Sequence, residues 1–143
     1  MFVRTYAPGR TIASFWGQLV TGFGDEIVTC KRTEDVFETV VGADGEVARR
    51  QSSNKTGEVQ VTVKQTSAAN AILSSLLRAD ELSGVSGVGP LLVKDNTGTT
   101  MWSGDGWLKG WPEVKRSKDA VDHVWTISCS RLEFEFPALP TNV

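Results

Sequence analysis

Between Gly57 and Leu82 the hydrophobic period changes from two residues to about 3.6, and that switch restricts what the chain can fold into. Glu58 to Lys64 alternates without a miss, placing Val59, Val61 and Val63 on one face and Glu58, Gln60, Thr62 and Lys64 on the other. After Thr66-Ser67 the apolar residues Ile72, Leu73, Leu76 and Leu77 recur at helical spacing. Ala68, Ala69, Ala71 and Ala79 are good helix formers around them. The reading is a strand followed by one α-helix over about residues 67–82. Ser67 or Thr66 is the expected N-cap, since a hydroxyl can accept from an orphan N–H of the first turn. Asp80 and Glu81 oppose the macrodipole, so the helix is expected to fray there and to stop by Gly84. A lone helix with one apolar stripe, through Ile72, Leu73, Leu76 and Leu77, must lie on a flat apolar surface.

The rest of the chain supplies strands for that surface. Thr11–Thr21 reads as a strand or hairpin bent at Gly17-Gln18. Gly22–Asp25 reads as a turn, Glu26–Thr33 as a strand, and Pro90–Lys94 and Thr99–Trp102 as a hairpin around Asp95–Gly98. Val124–Phe136 is the last strand. Its inward set runs Trp125, Ile127, Cys129 and then switches phase to Leu132, Phe134, Phe136, which predicts at Ser130-Arg131 either a β-bulge or a strand that leaves one sheet for another surface. Val36–Val41 is apolar on both faces, so it should be covered on both sides, by its own core or by another subunit. The sum is a mainly β chain: a sandwich or barrel of antiparallel strands with one helix packed on it. At 143 residues it suits one domain, 1–143, able to bury a core without disulfides.

Gly42–Gly57 departs from this pattern. Only Val47 and Ala48 are apolar there, and Asp44-Gly45 is a hairpin-type turn pair. So long a polar connection is uncommon in a compact domain. It reads either as a solvated loop or as an extended interaction loop at 42–57, in which Asp44, Glu46, Val47, Arg49, Arg50 and Lys55 meet a partner. The tail at 137–143 reads as flexible.

Chemistry is hard to find. The single histidine, His123, lies in a charged stretch and reads as solvated. Two cysteines and one histidine do not make a zinc pattern, and Cys30 and Cys129 read as buried free thiols of a chain folded in a reducing cytoplasm. Adjacent carboxylates such as Glu34-Asp35 point to opposite faces of a strand. The glycines of Ser83–Gly89 follow a helix instead of opening one, which excludes a phosphate loop. Asn54-Lys55-Thr56 has the form of a glycosylation sequon, which carries no weight in a cytoplasmic chain. No cofactor, catalytic residue or metal site is expected, so the chain is not read as an enzyme. A net charge of −2 argues against a dedicated DNA-binding module. No apolar run is long enough to span a bilayer, and no signal peptide is evident. Trp102, Trp107 and Trp111 crowd one short stretch and read either as packing groups on a glycine-bent ribbon or as plates that stack on sugars.

The run Val40-Val41-Gly42-Ala43-Asp44-Gly45-Glu46-Val47-Ala48-Arg49 carries more. Together with the Gly57–Thr66 strand, the 67–82 helix and Leu92-Val93-Lys94-Asp95, it resembles tail tube proteins of contractile-tailed bacteriophages. The resemblance implies hexameric rings stacked into a tube, a virion component assembled in the host cytoplasm, whose lumen conducts double-stranded DNA without sequence-specific binding. It implies as partners further copies of the chain, tail sheath, tape-measure, baseplate and tail-terminator proteins, with no membrane insertion. On this reading Val36, Phe37, Val40 and Val41 pair between subunits and the 42–57 loop reaches the next one. Alternatives are an Hcp-like tube component of a secretion or contractile injection system, and a carbohydrate-binding β-sandwich using Trp102, Trp107 and Trp111.

Overall fold

A computed structural model of the chain describes residues 11–20, 23–84, 87–95, 101–119 and 121–135. The central strand forms where the alternation predicts it: β6 (Gly57–Val63) buries Val59, Val61 and Val63 almost completely. It pairs antiparallel with β9 (His123–Glu135), whose Trp125, Ile127 and Cys129 join the same apolar face. β3 (Phe23–Arg32) borders β6 on the other side, while β8 (Met101–Leu108), β7 (Gly89–Asp95), β1 (Thr11–Phe15) and β2 (Gln18–Val20) extend the sheet beyond β9. Every pairing is antiparallel, and the order is β2-β1-β7-β8-β9-β6-β3.

That order has a geometric consequence. β2 and β3 lie at opposite edges of the sheet, yet Val20 and Phe23 are separated by only two residues. Three trans peptides span at most about 11 Å. The two edges must therefore come close together, and the seven strands curl strongly without hydrogen-bonding into a closed barrel. One buried cluster gathers side chains along this concave face, from Ala13, Phe15 and Val20 through Leu91, Val93 and Leu108 to Val59, Ile127 and Leu132.

The helix α1 (Ala69–Ser83) fills the concavity with Ala69, Leu73 and Leu77, and Leu76 packs against the cluster from the side. Ile72 is half-buried. The expected hydroxyl cap is replaced by another device. Ala68 occupies the N-cap position in a helical conformation without a side-chain cap. One residue earlier, the Ser67 hydroxyl accepts the Ala69 N–H at 3.1 Å. The Asn70 amide donates to the carbonyls of Lys64, Gln65 and Ser67 at 2.9, 3.3 and 3.2 Å, which ties the strand-to-helix turn. The helix continues past Asp80 and stops by Gly84, where the sequence places its end. It runs to Ser83 and ends on Gly84 at φ 73°, whose N–H donates to the Asp80 carbonyl. The Asp80 carboxylate then accepts the Gly87 N–H at 3.1 Å, so its charge is used on the chain that leaves the helix.

The bulge falls where the phase change places it. Asp105 faces Arg131 and Gly106 faces Cys129, so Ser130 is the extra residue on β9. Leu132 is thereby returned to the core. Gly104 is required opposite this kink, since a Cβ there would stand 2.3 Å from the Arg131 carbonyl oxygen. Three expectations need correction. Phe23-Gly24-Asp25 belongs to β3 and not to a turn. His123 is buried at 8% exposure, because it opens β9 opposite Val63 and not in the preceding charged segment. The 42–57 segment is not one irregular loop, for Val47–Gln51 forms strand β5. The Asp95–Gly98 turn and the 137–143 tail lie largely or wholly outside the described residues.

Because Leu73 is 1% exposed, Leu73→Ala should lower unfolding free energy by about 2–5 kcal/mol. Leu82→Ala, at an 85% exposed position, should change it by less than about 0.5 kcal/mol. Urea unfolding of unassembled protein reads both.

Candidate functional site

Two strands do not join the sheet. β4 (Phe37–Val41) and β5 (Val47–Gln51) pair only with each other, from Phe37 opposite Gln51 to Val41 opposite Val47. Residues directly opposite share a face, so Phe37, Thr39, Val41, Val47, Arg49 and Gln51 form one side, and Glu38, Val40, Ala48 and Arg50 the other. All ten are exposed. Val40, Val41 and Val47 keep 48%, 62% and 66% of their surface in solvent. The chain's own core therefore covers neither face of a segment that is apolar on both. An isolated two-stranded hairpin is marginal in water, and this one is held by a few local devices.

At the tip, the Gly42 N–H donates to the Glu46 carbonyl at 2.8 Å and the Gly45 N–H to the Gly42 carbonyl at 3.0 Å. Asp44 Oδ1 accepts the Glu46 N–H at 3.1 Å, which closes the turn. Along the arm, the Arg49 guanidinium lies 4.2 Å over the Phe37 ring, and Arg50 forms an ion pair with Glu38. At the root, the Ser52 N–H donates to the Val36 carbonyl at 2.8 Å and the Ser52 hydroxyl to Glu34 at 2.8 Å. Asn54 Oδ1 accepts from the Thr56 N–H at 3.0 Å and from its hydroxyl at 2.7 Å.

A charged clamp then fastens the root to β9. Glu133 receives Arg131 at 2.5 Å, Arg32 at 3.3 Å and Lys55 at 3.8 Å. Arg32 also donates to the Leu132 carbonyl at 2.9 Å and lies 5.7 Å from the Phe134 ring centre. The Leu132 N–H donates to the Lys55 carbonyl at 2.9 Å. The Arg131 hydrogen bond, aided by the charges of Lys55 and Arg32, holds the Glu133 carboxyl below its ordinary pKa.

The residues singled out in the sequence thus fall into one element. Asp44 and Glu46 make the tip, Val47, Arg49, Arg50, Phe37, Val40 and Val41 the blade, and Val36 and Lys55 the root. Arg32, Leu132 and Glu133 were not legible as part of it. Asn54-Lys55-Thr56 did carry a signal, as an Asx turn, whereas Arg32 and Lys55 reach Glu133 by tertiary contact, beside Arg131 two residues away on β9.

Among the described residues the other side chains offer no reactive constellation. Burial pushes the Cys30 thiol up to about 12, with Cys129 adding, and burial and then Asp105 push Cys129 up to about 11. Neither is a nucleophile at neutral pH. No group of three or more metal-ligating residues occurs among the described residues. No helix among them is long and apolar enough to cross a membrane. Trp102 packs edge-on against Phe134 at 6.2 Å, at the margin of the core. Trp107 is five residues further along β8 and faces the other way, so the tryptophans form no common plate.

Comparison with known proteins places this architecture. The chain matches the family model for the bacteriophage PhiTE tail tube protein over residues 7–136. It is 31% identical over 140 residues to structural protein ORF10 of Pseudomonas phage KPP10, covering 92% of this chain and 81% of that protein. Among solved structures it resembles the tube-terminating cap of the anti-feeding prophage, with a TM-score of 0.65 at 10% identity over 94% of this chain and 93% of the other. It also resembles a chain of the extended sheath–tube complex of the extracellular contractile injection system PVC, with a TM-score of 0.64 at 9% identity over 92% of both. These distant likenesses show a shared fold.

Glu133→Gln should lower hydrogen-exchange protection at the Thr33 and Leu132 amides, which bond across the root, and leave Val59 and Ile127 unchanged. In the unaltered chain the folded-state pKa of Glu133 is the lower one. Its contribution is therefore present at neutral pH and lost as pH falls through that depressed value.

Proposed function

The chain belongs to the bacteriophage PhiTE tail tube protein family, a structural and not an enzymatic family, and from that premise we propose that it is the repeating subunit of the tail tube. Copies close into hexameric rings, the rings stack, and the lumen passes double-stranded DNA into the host. The arm carries the reading. Five apolar side chains, Val36, Phe37, Val40, Val41 and Val47, stay 44–66% exposed on a segment anchored firmly at its root. Several apolar side chains exposed together on one projecting segment mark an interaction surface. Its free strand edges can extend into a neighbouring subunit's sheet, and ring closure removes the unpaired edges of β2 and β3 as well.

Asp44 and Glu46 at the tip and Arg49 and Arg50 along the blade give the arm both charge signs, which suits register with an identical copy. The mildly acidic chain suits a conduit along which DNA slides without sticking. One resembling structure is a sheath–tube complex and another a sheath/tube terminator, which supports sheath and terminator as partners here, with tape-measure and baseplate proteins completing the tail. The assembled place of the protein is the virion, and the place of assembly the host cytoplasm. An injection-device tube shares the fold. The family match and the KPP10 relative favour the phage.

Excising Phe37–Gln51 and joining Val36 to Ser52 through two glycines tests the arm, since those ends already share a 2.8 Å hydrogen bond. The expected protein keeps its cooperative melting transition but forms no rings or tubes in negative-stain electron microscopy under conditions where the intact chain does. Tubes from the excised protein would overturn the assignment. Val40→Asp with Val41→Asp, both exposed, repeats the test with the arm in place.

A further inference from the structure

Where β9 begins, an apolar pocket of about 280 Å³ opens between the first half of α1 and the segment before β9. Its walls are Asn70, Ala71 and Ser74 on one side and Trp111, Pro112, Val114, His123 and Trp125 on the other. Hydrogen bonds hold the aromatic wall in place. The Trp111 indole donates to Glu81 at 2.6 Å, and its ring lies 6.1 Å from that of Trp125. The Asn70 amide nitrogen is committed to three carbonyls, so its oxygen accepts from the Trp125 indole and from His123 Nδ1, each at 3.0 Å. His123 Nε2 is then left as an acceptor, buried and without a partner among the described residues. A buried acceptor in such a wall is costly until a donor reaches it.

We propose that this pocket receives residues Phe136–Val143 of a second copy of the chain. Both termini leave the sheet at the end opposite the pocket. Thr11 pairs with Asp95, and Lys94 and Glu135 both pair with Met101, whereas the pocket lies beside His123 at the start of β9. The 13 residues of β9 put about 40 Å of strand between the pocket and the tail. Eight residues span at most about 28 Å, so the tail cannot return to the pocket of its own chain. Its sequence, Phe-Pro-Ala-Leu-Pro-Thr-Asn-Val, has no charged side chain, and neither does the pocket lining apart from the imidazole. The other terminal segment, residues 1–10, brings Arg4 and Arg10 with no carboxylate in the lining to meet them. Between Pro137 and Pro140, Ala138 and Leu139 keep their backbone N–H groups, and one of these supplies the donor for His123 Nε2. A tail at one end of the subunit and its receptor at the other make a head-to-tail contact along the strand direction, of the kind that can link one ring to the next.

This deepens the tube assignment and rests on it for its biological setting, but the contact can be tested without tubes. A peptide of residues 136–143 is titrated into the unassembled full-length protein, and the indole N–H resonances of Trp111 and Trp125 are followed by NMR. Saturable shifts of both are expected at sub-millimolar peptide. A peptide methylated on the nitrogens of Ala138 and Leu139 should bind at least ten-fold more weakly. Ala71→Phe, at an exposed helix position on the pocket rim, should abolish the shifts and leave the fold intact. Absence of shifts at millimolar peptide, equal binding by a scrambled peptide, or stronger binding by a peptide of residues 1–10 overturns the proposal. If the peptide binds but the intact chain forms no rings, the tube reading fails and the pocket assignment stands.

Discussion

Everything in this fold depends on one apolar face shared by β6 and β9. Val59 and Val61 lie directly opposite Ile127 and Trp125, with Val63 opposite His123 and Cys129 opposite Gly57, and Leu73 and Leu77 of the helix share the same cluster. Fully burying a side chain of this kind stabilises by about 1.5–3 kcal/mol. The face therefore outweighs local preferences nearby. It fixes the register of the two longest-buried strands, because a slip of one residue would turn the whole set to solvent. It also explains the bulge at Ser130. Without the extra residue Leu132 would point away from the core, and β9 could not serve both β6 and the far half of β8.

Curling of the sheet follows from connectivity more than from any side chain. The step from Val20 to Phe23 ties the two edge strands together, and twist along seven strands carries one toward the other. The concave face then needs filling, and the helix does so. The strand-to-helix turn that positions it rests on Asn70, which binds the carbonyls of the turn with its nitrogen and the rings of His123 and Trp125 with its oxygen. One amide side chain thereby sets the start of the helix and the wall of the pocket beside it.

Legibility in the sequence followed the physics. Strict alternation at Glu58–Lys64, helical spacing at Ile72–Leu77 and the phase change before Leu132 each reflect a face turned to one large core, so each could be read directly. His123 and the long-range half of the Glu133 clamp could not, because Asn70 lies 53 positions from His123 and Arg32 lies 101 positions from Glu133. The arm was half legible. Apolar character on both faces of Val36–Val41 announced a strand without a home in its own core. The polar Arg49–Gln51 gave no strand signal, since its pairing with β4 is stabilised by Arg49 on Phe37 and Arg50 with Glu38 and not by burial.

The same devices decide how the arm works. A disordered loop would lose about 1–2 kcal/mol of backbone entropy per residue on ordering against a partner. Here the turn at Asp44-Gly45, the Asn54 hydrogen bonds and the Glu133 clamp have set most of those dihedrals before any partner arrives. What remains exposed, the valines and the outer strand edges, is what association can bury. On the proposed reading, folding and assembly rest largely on different residues: the buried cluster stabilises the subunit and, through Leu132, holds the root of the arm, while the blade, Phe37–Val41 and Val47–Gln51, contributes nothing to the core. A surface organised this way can bind tightly to an ordered neighbour without making the lone subunit depend on it.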